Sequence, residues 1–504
     1  MMDMLSFEWG IMAPEFIIIG VATIISLLDL FMPKTFDRKI LGWVGVGGIA
    51  LAMVFLADLF DHETASILMD TFRLDSFAKA FKLLMLAGAA LVLILAVSDD
   101  TKQGLEENRS EFYYLFLTAL LGAMVMSSSG DLITLFVGLE LLSISSYILA
   151  GLRKKNLQSN EAAMKYVING GISTAITLFG LSYVYGLTGS TNLLAIASAT
   201  VAITEGQYVY LMGVAFFMVF VGLSFKLASA PFHMWAPDVY QGAATPVTAF
   251  LSVVSKTAGF VLMARVMIMV FVNVPTSGQG SMPLFYQVQD YIAFLAGTTM
   301  IIGNVIALRQ KNIKRLFAYS SIAHAGYIMV ILATLQFLFN TLWFYLAAYL
   351  FMNLGAFAVI QLVTGKEKSE DISHFAGLYR RSPGLAIAMA IFVLSLAGFP
   401  GTAGFIGKIN IFMGAFVDQP AHYLLASIMI ATTVVSYVYY FGILKQIFFQ
   451  PAANEQAGEF KNIPVGMGVV IGICLLGTMV LGLAPDTAFD FLSTQFNGFS
   501  DFFQ

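Results

Sequence analysis

Three lysines, Lys226, Lys256 and Lys408, sit inside long apolar stretches of a 504-residue chain in which only 11% of residues are charged. A lysine near the centre of a bilayer costs about 2.5–3.5 kcal/mol on insertion scales, so each needs a reason to be there. Glu140 and His324 stand at similar depths in their own apolar runs. Amines, a carboxylate and an imidazole can take and release protons while carrying no electrons, so the set reads first as an ion path.

Taken singly, the residues divide by depth. At the rise of a regular helix, Glu140 lies roughly 13 Å into its span, close to the midplane. A carboxylate there is neutral or paired with a cation, and Lys226 is the natural partner. Such a pair either tunes the lysine, by closing and separating, or fixes packing as a static ion pair. Lys256 is again central, with His233 as a possible relay and a hydrogen-bonded core histidine as the alternative. Lys408 would stand about 36 Å along an unbroken helix, at the far surface, unless the Gly-Phe-Pro-Gly sequence before it breaks the helix and returns the lysine inwards. His324 is placed to bridge Lys256 and Lys408. Lys165, near the start of its span, either joins the Glu140 pair or extends to the headgroups. Lys79, Lys82 and Arg265 are expected to extend to the interface or to pair structurally, and Asp131 to cap the helix that carries Glu140.

The elements that must position these groups are membrane spans. Hydrophobic content of 59% and a mean hydropathy of +0.83 exclude a soluble protein with a polar shell. The net charge of −4 and the lack of a long basic run argue against nucleic acid. A single cysteine, Cys474, can form neither an internal disulfide nor a metal cluster. No dinucleotide fingerprint, phosphate-binding loop or paired CxxC motif occurs, so no cofactor or metal is expected on this chain. Aromatic content of 14% is explained by lipid-facing rings, and no site is assigned to it. Asp3 and Glu8 precede the first apolar run where a signal peptide would carry positive charge, so the first helix is expected to be retained.

A helix needs roughly 20 apolar residues to cross about 30 Å of hydrocarbon. Fourteen stretches qualify, near 11–31, 40–60, 77–97, 111–129, 131–151, 161–187, 208–232, 244–273, 286–308, 316–334, 338–363, 384–415, 422–444 and 464–484. With these spans, alternate loops hold Lys34, Arg38, Lys39, Lys102, Arg109, Arg153, Lys154, Lys155, Arg309, Lys311, Lys314, Arg315, Lys366, Lys368, Arg380, Arg381, Lys445 and Lys461, and the opposite loops hold only Arg73. Lysine and arginine are retained on the cytoplasmic side, so the count predicts both termini on the outer face. One missed or invented helix in mid-chain would erase that bias.

The chain therefore reads as an all-α polytopic membrane protein with one membrane domain over residues 1–504. The stretch from Tyr208 to Tyr240, too long for one straight helix, is punctuated by Pro231 and Pro237, and the twelfth span by Gly398, Pro400, Gly401 and Gly404. These residues remove or weaken backbone hydrogen bonds, so both helices are expected to break. Interrupted helices at matching places point to two inverted five-helix repeats, 111–273 and 286–444, after three N-terminal helices within 1–110 and before a last helix at 464–484.

The sequence carries motifs of a known family. The run FKLASAPFHMWAPDVYQGAATPVTAFLSVVSK from Phe225 to Lys256 resembles the signature of the antiporter-like membrane subunits of respiratory complex I. GLELLSISSYIL from Gly138, NIKRLFAYSSIAHAGY from Asn312 and LSLAGFPGTAGFIGKINIF from Leu394 resemble the same proteins, as do PEFIIIGVATIISLLDLF and DSFAKAFKLL nearer the start. The likeness covers nearly the whole chain and is greatest to the subunit N branch, the counterpart of mitochondrial subunit 2. It implies a bacterial cell membrane protein whose partners are membrane lipid and other complex I subunits, among them neighbouring antiporter-like subunits. It implies that NADH, FMN, iron–sulfur clusters and quinone are handled by those partners. The lysine and proline motifs are shared with Mrp-type cation/proton antiporters, the alternative reading, which lacks a redox partner. A third reading, a purely structural subunit, expects neutralisation of Lys226 to be harmless wherever assembly survives.

Overall fold

In the structure, a computed structural model, residues 7–33, 36–98, 108–276, 282–335, 337–418, 421–451 and 463–503 are described. Asp3 and the loop cations Lys34, Lys102 and Lys461 lie outside them.

Long runs of leucine, isoleucine, valine and phenylalanine leave the backbone no water to bond, so they coil into helices that satisfy their own amides. These are α1 Ala13–Phe31, α2 Lys39–Asp58, α3 Ser76–Val97, α4 Arg109–Ser127, α5 Leu132–Ala150, α6 Leu157–Thr188 and α7 Gly206–Leu227. Next come α8 Thr245–Phe271, α9 Leu284–Ala307, α10 Ile313–Thr334 and α11 Leu338–Glu367. The chain closes with α12 Pro383–Ala397, α13 Ala403–Val417, α14 Tyr423–Phe449, α15 Val465–Leu483 and α16 Asp486–Phe496. Among the described residues, 13 helices are long and apolar enough to cross a membrane. The twelfth predicted span instead forms two shorter apolar helices, α12 and α13, on either side of the Gly-Phe-Pro-Gly sequence.

The centre of the bundle is α8, α10 and α11, almost entirely enclosed by the rest, whereas α1, α2, α6 and α15 keep much of their surface outward. This arrangement puts the lysine of α8 and the histidine of α10 in the interior and leaves apolar faces for lipid.

Helix starts repeat a device. Asp131 caps α5 by accepting a hydrogen bond from the Ile133 amide, as expected, and Asn312 caps α10 by accepting one from the Arg315 amide. Each cap is also bridged to the loop beyond the next helix: Asp131 pairs with Asn192 after α6, and Asn312 with Asp371 after α11. Glycine allows the same close helix contact in both places. A Cβ on Gly122 of α4 would stand 2.5 Å from the Leu142 amide of α5, and one on Gly303 of α9 would stand 2.6 Å from the Ala323 amide of α10.

Both predicted breaks are present. α7 ends at Leu227, with Ala228 in the left-handed region at φ 56°, and helix resumes only at Trp235–Gly242. α12 ends at Ala397, with Gly398 after it at φ 84° and Gly401 soon after at φ 86°, conformations that glycine adopts without a Cβ clash. One element was not anticipated, a short antiparallel hairpin pairing Ala65–Ile67 with Phe72–Leu74 outside the spans.

Candidate functional site

Lys256 owes its position to an irregularity. The turn before it, Leu251–Ser255, is a π-helix, which inserts an extra residue per turn and rotates the side chains beyond it. The amine points to α10, where it donates to the Ser321 carbonyl at 2.6 Å and, through a short contact, to the Ser321 hydroxyl. That hydroxyl lies 3.2 Å from the Tyr240 hydroxyl, on the helical segment beyond the α7 break.

His324, one turn further along α10, is 1% exposed. Its Nδ1 meets the Tyr345 hydroxyl at 2.7 Å and its Nε2 the Tyr440 hydroxyl at 3.3 Å. Tyr440 reaches on to the Ser320 hydroxyl at 2.5 Å. The charges of both Lys408 and Lys256 act on this imidazole.

Lys408 is turned inwards by the break. A helix leaves its last carbonyls without intrahelical partners and carries partial negative charge at that end. The Lys408 amine takes up two of these at the end of α12, Leu396 at 3.0 Å and Ala397 at 3.1 Å, and lies 4.8 Å above the Tyr327 ring. The Ser395 hydroxyl accepts the Gly404 amide at 3.1 Å, which ties the start of α13 back to α12. Lys408 also lines a cavity of about 260 Å³ together with Gly398, Thr433 and Tyr437.

Lys226 occupies the last turn of α7, and its amine donates to the Ser143 hydroxyl of α5 at 3.1 Å. Glu140, one turn before Ser143, acts on Lys226 through its charge but makes no ion-pair contact with it. One Glu140 oxygen is buried without a hydrogen-bond partner. The expected Glu140–Lys226 ion pair is therefore not formed in this structure, and Ser143 holds the amine instead.

The remaining candidates separate. Lys165 does not join Glu140. Its side chain is 41% exposed and pairs with Asp238 at 2.5 Å and Glu161 at 2.7 Å, while Arg315 holds the other Asp238 oxygen at 2.6 Å. His233 is buried in the irregular stretch after α7, beside the Tyr319 ring, and neither of its ring nitrogens makes a hydrogen bond of normal geometry. Lys82 and Arg265 pair structurally: Lys82 with Glu15 at 2.5 Å, and Arg265 with both Asp75 oxygens at 2.8 and 2.9 Å. Lys79 donates to the His62 carbonyl.

Ser143, Ser321, Tyr240, Tyr345 and Tyr440 were not singled out in the sequence, and the assignment of all aromatic content to lipid-facing rings is corrected by these buried tyrosines. Their signal was present in the choice of tyrosine over phenylalanine at positions where a hydroxyl needs a partner. Among the described residues no group of three His, Cys, Asp or Glu side chains is arranged to hold a metal ion.

Two broken helices, each with a lysine at the break, around an enclosed core that carries further basic groups define the antiporter-like class of membrane proteins. The profile of the family described as "NADH:quinone oxidoreductase/Mrp antiporter, TM" matches residues 129–436. The chain is 60% identical to NADH-quinone oxidoreductase subunit N of Geobacillus sp. (strain WCH70), over 98% of this chain and 99% of that one. It is 54% identical to the protein of the same name from Bacillus anthracis, over 100% and 98%. A subunit in the structure of respiratory complex I from Thermus thermophilus with bound aureothin superposes with a TM-score of 0.76 and 32% identity, over 94% of this chain and 97% of that one. A chain of the archaeal membrane-bound sulfane sulfur reductase shares the fold, with a TM-score of 0.82 at 24% identity, over 98% of this chain and 99% of that one. The chain belongs to the NADH-quinone oxidoreductase subunit N family.

Proposed function

We propose that this chain translocates protons across a bacterial cell membrane as a subunit of NADH-quinone oxidoreductase, with both termini on the outer face. Its partners are the other membrane subunits of that complex, neighbouring antiporter-like subunits among them, and the surrounding lipid. NADH, FMN, iron–sulfur clusters and quinone belong to the partners, and this chain supplies acid–base groups. We take 111–273 and 286–444 as its two inverted repeats.

The observation that carries this reading is the placement of His324, bonded to two tyrosine hydroxyls and within the fields of Lys256 and Lys408. An imidazole accepts a proton on one nitrogen and gives one up from the other, so it can pass charge between two amines. In the proposed sequence, approach of Glu140 favours the ammonium form of Lys226, and separation disfavours it. That switch sets the proton load on Lys256, and His233, with open ring nitrogens, relays between the two. The proton then moves from Lys256 through His324 to Lys408 and leaves by the Lys408 side of the bundle. Lys165 is left out of the path, because Asp238 and Glu161 hold it at the bundle edge.

The test is the number of protons moved per electron in the reconstituted complex carrying Lys256→Ala or Lys408→Ala. Loss of pumping with assembly retained supports the scheme. An unchanged ratio in both variants contradicts it. Dependence of transport on sodium, without any redox partner, would favour the Mrp-type reading.

A further inference from the structure

Lys226 and Lys408 stand at equivalent breaks, yet the groups offered to them from the helix across differ. The caps Asp131 and Asn312, each bridged to a later loop, fix equivalent starting points on α5 and α10. Counted from these caps, Ser143 stands at the position that His324 holds in the second half of the chain. His324 is an imidazole in the field of Lys408. Ser143 is a hydroxyl, and it already holds the Lys226 amine at 3.1 Å while Glu140 is out of ion-pair contact.

We propose that Ser143 is a positioning residue for proton transfer, a second seat that holds the Lys226 ammonium when Glu140 has moved away. The idea rests on the function proposed above and specifies how its first switch works. A serine oxygen accepts a hydrogen bond from an ammonium, so it stabilises the charged lysine, but it is neither acid nor base at neutral pH. Histidine at the matching place takes the proton onward, whereas serine can only hold its carrier in register. Lys226 thus has two resting places on one face of α5, one charged and one neutral, a turn apart.

The titratable groups on the elements around the end of α7 are Glu140 and Tyr147 on α5, Glu161, Lys165, Tyr166, Tyr183 and Tyr185 on α6, Lys256 and Arg265 on α8, His233 in the stretch after α7, and Asp238 and Tyr240 on the helical segment that follows. Of these, Glu140 is the one whose charge acts on Lys226. Removing the hydroxyl therefore takes away a neutral acceptor without altering the charges around the amine.

The experiment uses the complete reconstituted complex with Ser143→Ala, Ser143→Cys, Ser143→Thr and Lys226→Ala, each checked for assembly, and records proton pumping against pH. A hydrogen bond to a charged group is worth about tenfold in an equilibrium, or about one pH unit. Without it the ammonium gives up its proton more readily, so the alkaline limb of the Ser143→Ala profile should move about one unit to lower pH. Ser143→Thr should return the limb to its native position. Ser143→Cys nearly preserves side-chain volume with a weak acceptor, so it should move like Ser143→Ala and serves if the alanine variant does not assemble. A limb that stays in place or moves to higher pH in an assembled Ala or Cys variant overturns the proposal. If that happens while Lys226→Ala abolishes pumping, only the role of Ser143 fails. If Lys226→Ala pumps normally, the switch itself fails and this inference with it.

Discussion

His324 and Tyr345 share a hydrogen bond of 2.7 Å between two helices that are almost wholly enclosed by the bundle. The tyrosine hydroxyl engages Nδ1, and the Nε2 side is left to the longer contact with Tyr440. Which ring nitrogen carries the proton is thus coupled to the orientation of two hydroxyls.

Tyr345→Phe removes the shorter of these bonds and keeps the ring. A neutral hydrogen bond contributes about 0.5–1.5 kcal/mol, so a two- to tenfold fall in pumping rate is expected, with assembly preserved. Pumping rate per assembled complex checks it, and an unchanged rate would mean that the hydroxyl does not orient His324.

Ser321→Ala should be milder than Lys256→Ala. The variant loses the hydroxyl at the Lys256 amine and its link to Tyr240, but the Ser321 carbonyl, 2.6 Å from the amine, is backbone and remains. Pumping should fall several-fold and persist, measured beside a lysine variant that abolishes it.

Arg265→Met should cripple assembly for a reason unrelated to transport. Arg265 is 1% exposed and Asp75 fully buried, so the variant strands a carboxylate inside the protein. Breaking a buried pair by removing one partner costs about 3–5 kcal/mol. The nearby Arg73, 3.7 Å from Asp75, offsets part of that loss. The amount of assembled complex in membranes reads the effect, and Arg265→Met with Asp75→Leu should recover some of it.

Lys165→Ala should leave both assembly and pumping close to native. Its ion pairs lie at a half-exposed edge, where such contacts contribute about 0–1 kcal/mol, and Arg315 still holds Asp238. A complete loss of pumping in this variant would return Lys165 to the proton path.

The spans and their breaks were legible because they derive from length and backbone chemistry. A run of about 20 apolar residues has little choice but helix, and Gly398 and Gly401 announce a backbone that other residues resist. Buried lysines were legible because charge is expensive in hydrocarbon. Their partners were not. Ser143 and Ser321 carry small hydroxyls that a helix can satisfy through its own carbonyls, so nothing in composition distinguishes a serine holding a lysine from one bonded to its own turn, as Ser146 is to Leu142. The side to which Lys165 turns depends on where Asp238 lies after the α7 break, a tertiary fact that periodicity does not contain. The hairpin at Ala65–Ile67 and Phe72–Leu74 is too short for its alternation to rise above that of any loop.

A continuous proton track through the interior would be witnessed most directly by ordered water. A density map of the assembled complex at a resolution that reveals water should show a hydrogen-bonded series of waters and hydroxyls from Lys256 past Ser321 and His324 to Lys408. A dry apolar gap separating His324 from either lysine, in every state of turnover captured, would contradict the account.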